Sequence, residues 1–254
     1  MIGLFEQTFS RFPAILPVIH VESYDQALRN VNVARQQGCH GVFLINHDLP
    51  YERLLAIHHQ VFKQHPDWWI GVNCLGLAPR QLFGKLSVEV AGLWVDNAQI
   101  DEREEEQRPA ELIAEARERS GWPGLYFGGV AFKYQRPVAE LARAAVLASH
   151  YMDVVTTSGP GTAQAASLDK IRTFKNALGR FPLAIASGIT PANVADYVDI
   201  SDCFLVASGI SKSRTELAPQ LLSNLVNQIQ PAQRQQLAGY LSYLRRQCLQ
   251  RNNP

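Results

Sequence analysis

Three apolar runs in the second half of the chain end in the same pair of small residues, Ser-Gly. They end at Ser158-Gly159, at Ser187-Gly188 and at Ser208-Gly209. A β-branched run that ends in this way and opens into a helix presents free backbone N–H groups at one point, and glycine lets a ligand come within reach of them. Three such ends in successive βα units predict an anion site, most simply for phosphate. The predicted phosphate-binding residues are Ser158, Gly159, Gly161, Thr162, Ser187, Gly188, Ser208 and Gly209.

The Ser-Gly segments contain no lysine or arginine of their own. A hydrogen bond to a charged acceptor contributes roughly 1.5–3 kcal/mol, so three or four amides approach the ~8 kcal/mol of a micromolar ligand before entropy costs. A phosphate therefore does not need cations within these segments. The alternative is that each Ser-Gly pair only makes a tight turn between a strand and a helix.

Eight apolar runs alternate with helical patterns along the chain, and the Ser-Gly pairs end the last three runs. With 254 residues, 46% of them hydrophobic, the chain matches a single (β/α)8 barrel, although an open doubly wound sheet has the same alternation. We predict one α/β domain over 1–254, with a TIM barrel at about 14–228 and an extra C-terminal helix at about 231–249. That helix either caps the barrel or forms the interface of a homo-oligomer.

In such a barrel the reacting groups lie at the carboxyl ends of the strands and in the loops that follow. This rule selects Asp48 and Asp96 as a pair that could act as acid and base or stabilise a cationic sugar transition state. His47 or His20 could move protons near neutral pH, and Arg136 follows the fifth strand. The predicted catalytic residues are Asp48, Asp96, His47 and Asn73, and the other predicted pocket residues are His20, Asn46 and Lys133.

Each of these side chains has an alternative role. The aspartates could instead cap helices or brace loops. Lys133 could form a Schiff base, as in aldolases, but no lysine ends the sixth strand, where many barrel aldolases carry theirs. A metal site is conceivable from His20, His47, Asp48 and Asp96. No close spacing such as His-x-x-x-His supports it, so we expect no metal and no cofactor.

The composition indicates which partners the chain is suited to. Its 24 Lys and Arg against 23 Asp and Glu leave a net charge of +1, which gives no support for nucleic acid or an acidic membrane surface. It has no run of about 20 apolar residues and no signal-peptide pattern, so we expect no membrane span. Its four cysteines are far apart and indicate free thiols in a reducing cytoplasm. The acidic run over 101–106 predicts a solvated loop.

Several segments resemble the BtpA/SgcQ family of barrel proteins. Residues 153–162 are similar to that family's sixth βα unit, the Ser-Gly-Ile-Thr-Pro-Ala-Asn-Val stretch at 187–194 to its seventh, and 204–209 to its eighth. Residues 70–75 resemble its third strand, whereas 21–24 stand where it has a glycine-proline-rich stretch. The resemblance implies a TIM barrel of the ribulose-phosphate-binding type. Members of the family are described as photosystem assembly factors or as proposed nucleosidases.

These observations favour an enzyme that cleaves, transfers or isomerises a phosphorylated small molecule. That ligand would be a phosphosugar or a nucleotide-like ribosyl compound, held by its phosphate. The alternative from another class is a non-catalytic assembly or regulatory protein that keeps the barrel. A third possibility is a sensor that binds a phosphorylated ligand without turnover.

Overall fold

A closed barrel of eight parallel strands forms the centre of the molecule. The computed structural model describes residues 3–9 and 13–231. The strands are β1 (Ala14–His20), β2 (Gly41–Ile45), β3 (Trp69–Asn73), β4 (Gly92–Val95), β5 (Leu125–Gly129), β6 (Val154–Ser158), β7 (Leu183–Ala186) and β8 (Cys203–Val206). They pair in chain order, and β1 closes the ring on β8. The predicted (β/α)8 barrel is confirmed, and its closure excludes the open sheet.

Helices alternate with these strands. They are α1 (Leu4–Thr8), α2 (Tyr24–Gln36), α3 (Tyr51–Gln64), α4 (Pro79–Leu82), α5 (Arg108–Ser120), α6 (Leu141–Ala148), α7 (Leu168–Leu178) and α8 (219–231). Serine hydroxyls begin two of them, because Ser23 Oγ accepts from Gln26 N in α2 and Ser167 Oγ accepts from Lys170 N in α7. No helix within 3–9 or 13–231 is long and apolar enough to cross a membrane.

The segments after β7 and β8 differ from the prediction that both open directly into helices. After β7 there is only a 3-10 turn, Val194–Asp196, and β8 is followed by a second one, Ser208–Ile210. Asn193 fixes the first segment, since its Oδ1 accepts from Thr190 N at 2.8 Å and its Nδ2 donates to Gly188 O at 2.9 Å. The predicted contribution of helix N-termini to the anion site is therefore wrong for these two strands.

The last described helix, α8, begins at 219. Glu216 O accepts from Lys212 N at 2.9 Å and holds 212–216 in a turn before it. Pro219 then occupies the first helical position, where its missing N–H costs nothing. The C-terminal helix predicted at 231–249 lies outside the described residues.

The acidic run between β4 and α5 is not wholly solvated, in contrast to the prediction. Glu102 is 3% exposed, and its carboxylate accepts from Arg136 Nη1 at 2.9 Å and from Ala139 N at 3.1 Å. Arg136 holds the pKa of Glu102 down to about 2, so this buried charge is paired rather than neutralised. Arg136 thus fastens the β4 and β5 loops together.

Aromatic rings fill the amino end of the barrel. Phe5 and Phe9 of α1 are each 2% exposed; Phe5 packs 6.3 Å from the Phe127 ring, and Phe9 packs 5.5 Å from the Trp69 ring, measured between centroids. Five residues are too few to show a helical period, so no pattern predicted α1. Trp69 also needs space on the neighbouring strand, because a Cβ at Gly92 would overlap its ring.

We predict that Gly92→Ala destabilises the protein by about 1–3 kcal/mol, because the added methyl group overpacks the space that Trp69 occupies. The measurement is the free energy of unfolding in urea. Gly84→Ala is the matched control, since a Cβ there meets no atom within 4 Å, and it should cost nothing. In a Trp69→Leu background the Gly92→Ala penalty should shrink; an unchanged penalty would contradict the explanation.

Candidate functional site

A cavity of about 510 Å³ opens at the carboxyl ends of the strands. Its apolar strand residues are Val18, Ile45, Trp94, Ala186, Leu205 and Val206. Polar side chains from the following loops surround them. The cavity therefore lies where the barrel rule places reacting groups.

The Ser-Gly ends of β7 and β8 meet in the wall of this one cavity. Ser187, Gly188, Ile189 and Ser208 all line it. Their backbone N–H groups donate to no acceptor in the part of the chain that the structure describes. Unshared amides that face one cavity can bind an anion. Gly209 follows Ser208 but does not line the cavity.

Glycine is required in these loops because the backbones touch. Gly188 has φ +72°, and a Cβ on it would overlap the backbone of Gln164 and Ala165. A Cβ on Gly209 would overlap the Ile189 carbonyl group. The packing of the β6, β7 and β8 loops is therefore enough to require glycine at both positions, whether or not a ligand binds there.

Ser187 has the same left-handed backbone, with φ +72°, although it is not glycine. Its Oγ accepts from Ala163 N and donates to Gly161 O, each at 3.1 Å. These two bonds tie the β6 loop to the β7 loop and offset the cost of the conformation. They also hold the Ser187 amide in the cavity wall.

Of the four residues predicted from the β6 segment, Thr162 lines the cavity, and the other three are not in its lining. Ser158 is fully buried; its Oγ accepts from Lys133 N at 2.7 Å and donates to Gly159 O at 2.9 Å. Gly161 O accepts the Ser187 bond described above. The β6 segment thus positions its neighbours.

Lys170 of α7 bonds to the loops of the same region. Its Nζ donates to Ser158 O at 2.7 Å and to Ala131 O at 2.6 Å, which joins the β5 and β6 loops. Burial lowers the pKa of Lys170 to about 8. The sequence does not point to this residue, because a lysine in the first turn of a helix is typical of an exposed position.

Three cations line the cavity, of which the sequence analysis selected only Lys133. Lys212 and Arg214 follow the third Ser-Gly pair directly, in the stretch Ser211-Lys-Ser-Arg214. A signal for them was available, because two basic residues among serines just beyond a predicted phosphate loop is a pattern that suits an anion site. The positive charge of the site comes from these side chains.

Asp96 is the carboxylate in the cavity wall. Asn73 donates from Nδ2 to Asp96 Oδ1 at 3.0 Å and is itself 2% exposed. Burial raises the pKa of Asp96, against the opposing effects of Asn73, Lys133 and His47. The structure therefore brings Asp96 and Asn73 together, as a carboxylate with one oxygen held and a perturbed pKa.

His20 and His47 stack on each other at the mouth, with centroids 4.7 Å apart and planes 11° apart. Burial, then the charges of His47, Arg214 and Lys133, lower the pKa of His20 to about 4. The pKa of His47 is lowered as well, by burial and by Arg214. Both imidazoles are thus neutral near pH 7.

The remaining predicted residues have other positions. Asn46 is buried, and its Oδ1 accepts from Leu75 N while its Nδ2 donates to Leu49 O, each at 2.7 Å. It braces the β2 and β3 loops. Asp48 lies on the outer rim with a side chain 76% exposed, where it pairs with Arg214 at 3.2 Å.

Residues 3–9 and 13–231 contain no group of three or more His, Cys, Asp or Glu arranged for a metal ion.

No protein-family model matches the chain, and no curated protein matches it in sequence. Among solved structures it is similar to tryptophan synthase subunit alpha from Legionella pneumophila, with a TM-score of 0.65 and 11% identity over 91% of this chain and 100% of that chain. (S)-3-O-geranylgeranylglyceryl phosphate synthase from Thermoplasma acidophilum, in complex with its substrate sn-glycerol-1-phosphate, gives a TM-score of 0.64 and 12% identity over 90% and 99%. Phosphoribosyl anthranilate isomerase from Thermus thermophilus gives a TM-score of 0.63 and 14% identity over 86% of this chain and 99% of that chain. At these identities the likeness shows the fold.

We predict that Asp96→Asn raises the melting temperature at about pH 8 and that the gain disappears near pH 4. A carboxyl with a raised pKa is fully compatible with folding when protonated, and its ionisation disfavours the folded state as pH rises through that pKa. Asparagine cannot ionise, so it removes this cost. Thermal unfolding across that pH range measures the effect.

Asp48→Asn is the control, because the same change on an exposed rim carboxylate should alter stability by no more than about 0.5 kcal/mol at any pH. A gain at Asp96 that is equal at both pH values would show that ionisation is not its cause.

Proposed function

We propose that this chain is an enzyme acting on a phosphorylated small molecule, with the phosphate bound by the amides of the β7 and β8 loops. The observation that carries the proposal is the set of unshared N–H groups at Ser187, Gly188, Ile189 and Ser208 in one cavity wall. Each bond to a phosphate oxygen contributes roughly 1.5–3 kcal/mol, so a few of them anchor a ligand.

The cations support this assignment. Lys133, Lys212 and Arg214 line the cavity, against Asp96 as the carboxylate in its lining. Because opposite charge raises the local concentration of a ligand, an anion is favoured over a cation or a neutral molecule. The pocket has the size expected for a small metabolite.

The names of the similar structures give further support. A phosphoribosyl compound and sn-glycerol-1-phosphate are the compounds that two of those names state for their own proteins. In (β/α)8 barrels a phosphate site is frequently formed by the loops after strands seven and eight. The likeness covers most of this chain and nearly all of those chains.

We assign proton transfer to Asp96. Its strand, β4, stands across the barrel from β8, so a ligand anchored by phosphate at β8 extends its reacting carbon atoms toward Asp96. The Asn73 bond holds one carboxylate oxygen and leaves the other available, and the raised pKa suits a group that gives and takes a proton. Neutral His20 and His47 border the same space. Isomerisation or cleavage of a phosphosugar or ribosyl compound fits this arrangement.

We further propose, on the sequence resemblance, kinship with the BtpA/SgcQ family and a nucleosidase-type reaction. A non-catalytic barrel is the competing hypothesis, and the following experiments distinguish it.

Inorganic phosphate should bind the wild-type protein, and Ser208→Asp should weaken that binding at least about tenfold, because the new carboxylate lies beside the amides. Ser208 is exposed, so the change should leave folding intact. Ser208→Asn has the same shape without the charge and should retain most of the affinity. The measurement is isothermal titration calorimetry. Absence of phosphate binding by the wild type would contradict the anchor.

Asp96→Asn should abolish turnover of any phosphosugar or ribosyl phosphate that a substrate screen identifies, with a loss of about 10²–10⁴-fold in kcat. Binding of the ligand should remain, because the phosphate anchor is untouched. Asp48→Asn should keep most of the turnover, as its side chain is on the rim. Equal turnover by Asp96→Asn would remove Asp96 from the mechanism.

A further inference from the structure

Two of the cavity's cations, Lys133 and Arg214, extend away from the phosphate anchor. The amides lie at β7 and β8, but the Arg214 guanidinium extends past β1 to within 3.2 Å of the Asp48 carboxylate, which follows β2. Both side chains of that pair are largely exposed, 60% for Arg214 and 76% for Asp48. An exposed pair of this kind is weak, so Arg214 can move onto a ligand at little cost.

Lys133 approaches the same half of the mouth from the β5 side. Its Nζ lies 5.8 Å from the centroid of Phe132 and 6.0 Å from that of Tyr134. It forms no ion pair with any carboxylate in the described part of the chain. Asp96 lines the same cavity, and the charge of Lys133 acts to lower the pKa of that carboxyl. An ammonium group that lines a cavity without a carboxylate contact is available to a ligand.

Arg214 and Lys133 converge on the stacked imidazoles of His20 and His47. Both cations lower the pKa of both histidines, which places their charges within interaction range of the stack. Asp96 and Asp48 are the acidic groups on this side, and they act in the opposite direction on His47. Because the lowered pKa values leave the imidazoles neutral near pH 7, the positive charge on this side comes from Arg214 and Lys133.

We propose that the half of the mouth between β2 and β5 binds a second anionic group of the substrate, held by Arg214 and Lys133 above the His20–His47 stack. The substrate would then carry a phosphate at one end and a carboxylate or a second phosphate at the other. This inference rests on the proposed function, since it takes the phosphate anchor at β7 and β8 as the first contact.

Three five-carbon probes that differ only at the first carbon test the inference. Ribitol 5-phosphate has a neutral end, 5-phosphoribonate has a carboxylate there, and ribitol 1,5-bisphosphate has a second phosphate. Calorimetry at about pH 7.5 should give at least one doubly anionic probe that binds about tenfold or more tightly than ribitol 5-phosphate, the factor expected from one charge-assisted contact. The tighter of the two identifies the second group.

Lys133→Met and Arg214→Met should each remove that advantage, because each weakens the tighter doubly anionic probe more than it weakens ribitol 5-phosphate. Lys63→Met is the matched control, because it removes one positive charge from the exposed outer side of α3. It should leave all three affinities unchanged, which excludes an effect of net charge.

The outcomes separate the two proposals. If the wild type binds all three probes equally, or if Lys133→Met and Arg214→Met weaken all three alike, the second subsite is wrong and the phosphate anchor stands. If the wild type binds neither inorganic phosphate nor any probe, the proposed function itself fails.

Discussion

Direct contact between the backbones of three loops is the constraint on which the site depends. The β6, β7 and β8 loops approach so closely that Gly188 and Gly209 have no room for a Cβ. Ser187 accepts a left-handed backbone there, and its hydroxyl links two of the loops. Since the loops are packed against each other by shape and by this hydroxyl, several of their N–H groups remain unshared. The cavity wall therefore contains main-chain N–H groups that have no other partner among the described residues.

Buried polar side chains keep the mouth of the barrel in one arrangement. Asn46 joins the β2 and β3 loops, Lys170 joins the β5 and β6 loops, and the Glu102–Arg136 pair joins the β4 and β5 loops. Each donor and acceptor would be costly to leave unpaired in the interior, so each bond fixes a loop position. Asn73 extends the same principle to a cavity residue, because it donates to one oxygen of Asp96. The polar residues of the cavity wall and those that only join loops therefore differ in whether an atom stays available to the cavity.

The strands could be predicted from the sequence because buried parallel strands have long runs of β-branched and apolar residues, as Val154–Ser158 shows. Positions after the strands followed from the barrel rule, which identified Asp96 and Lys133. Other features depend on contacts distant in the chain. No local pattern reveals that Lys170 bonds to two loops or that Gly188 meets Ala165, and α1 is too short to show a period. A helix predicted after β7 was replaced by a short turn.

The aromatic rings at the amino end of the barrel restrict how a small molecule can reach the cavity. Phe5 and Phe9, packed against Phe127 and Trp69, occupy the end of the barrel opposite the cavity. Among the residues that the structure describes, the route to the cavity therefore lies at the carboxyl ends of the strands. One bound molecule must leave by that end before another can enter, so slow exit would limit how fast the cavity exchanges its occupant.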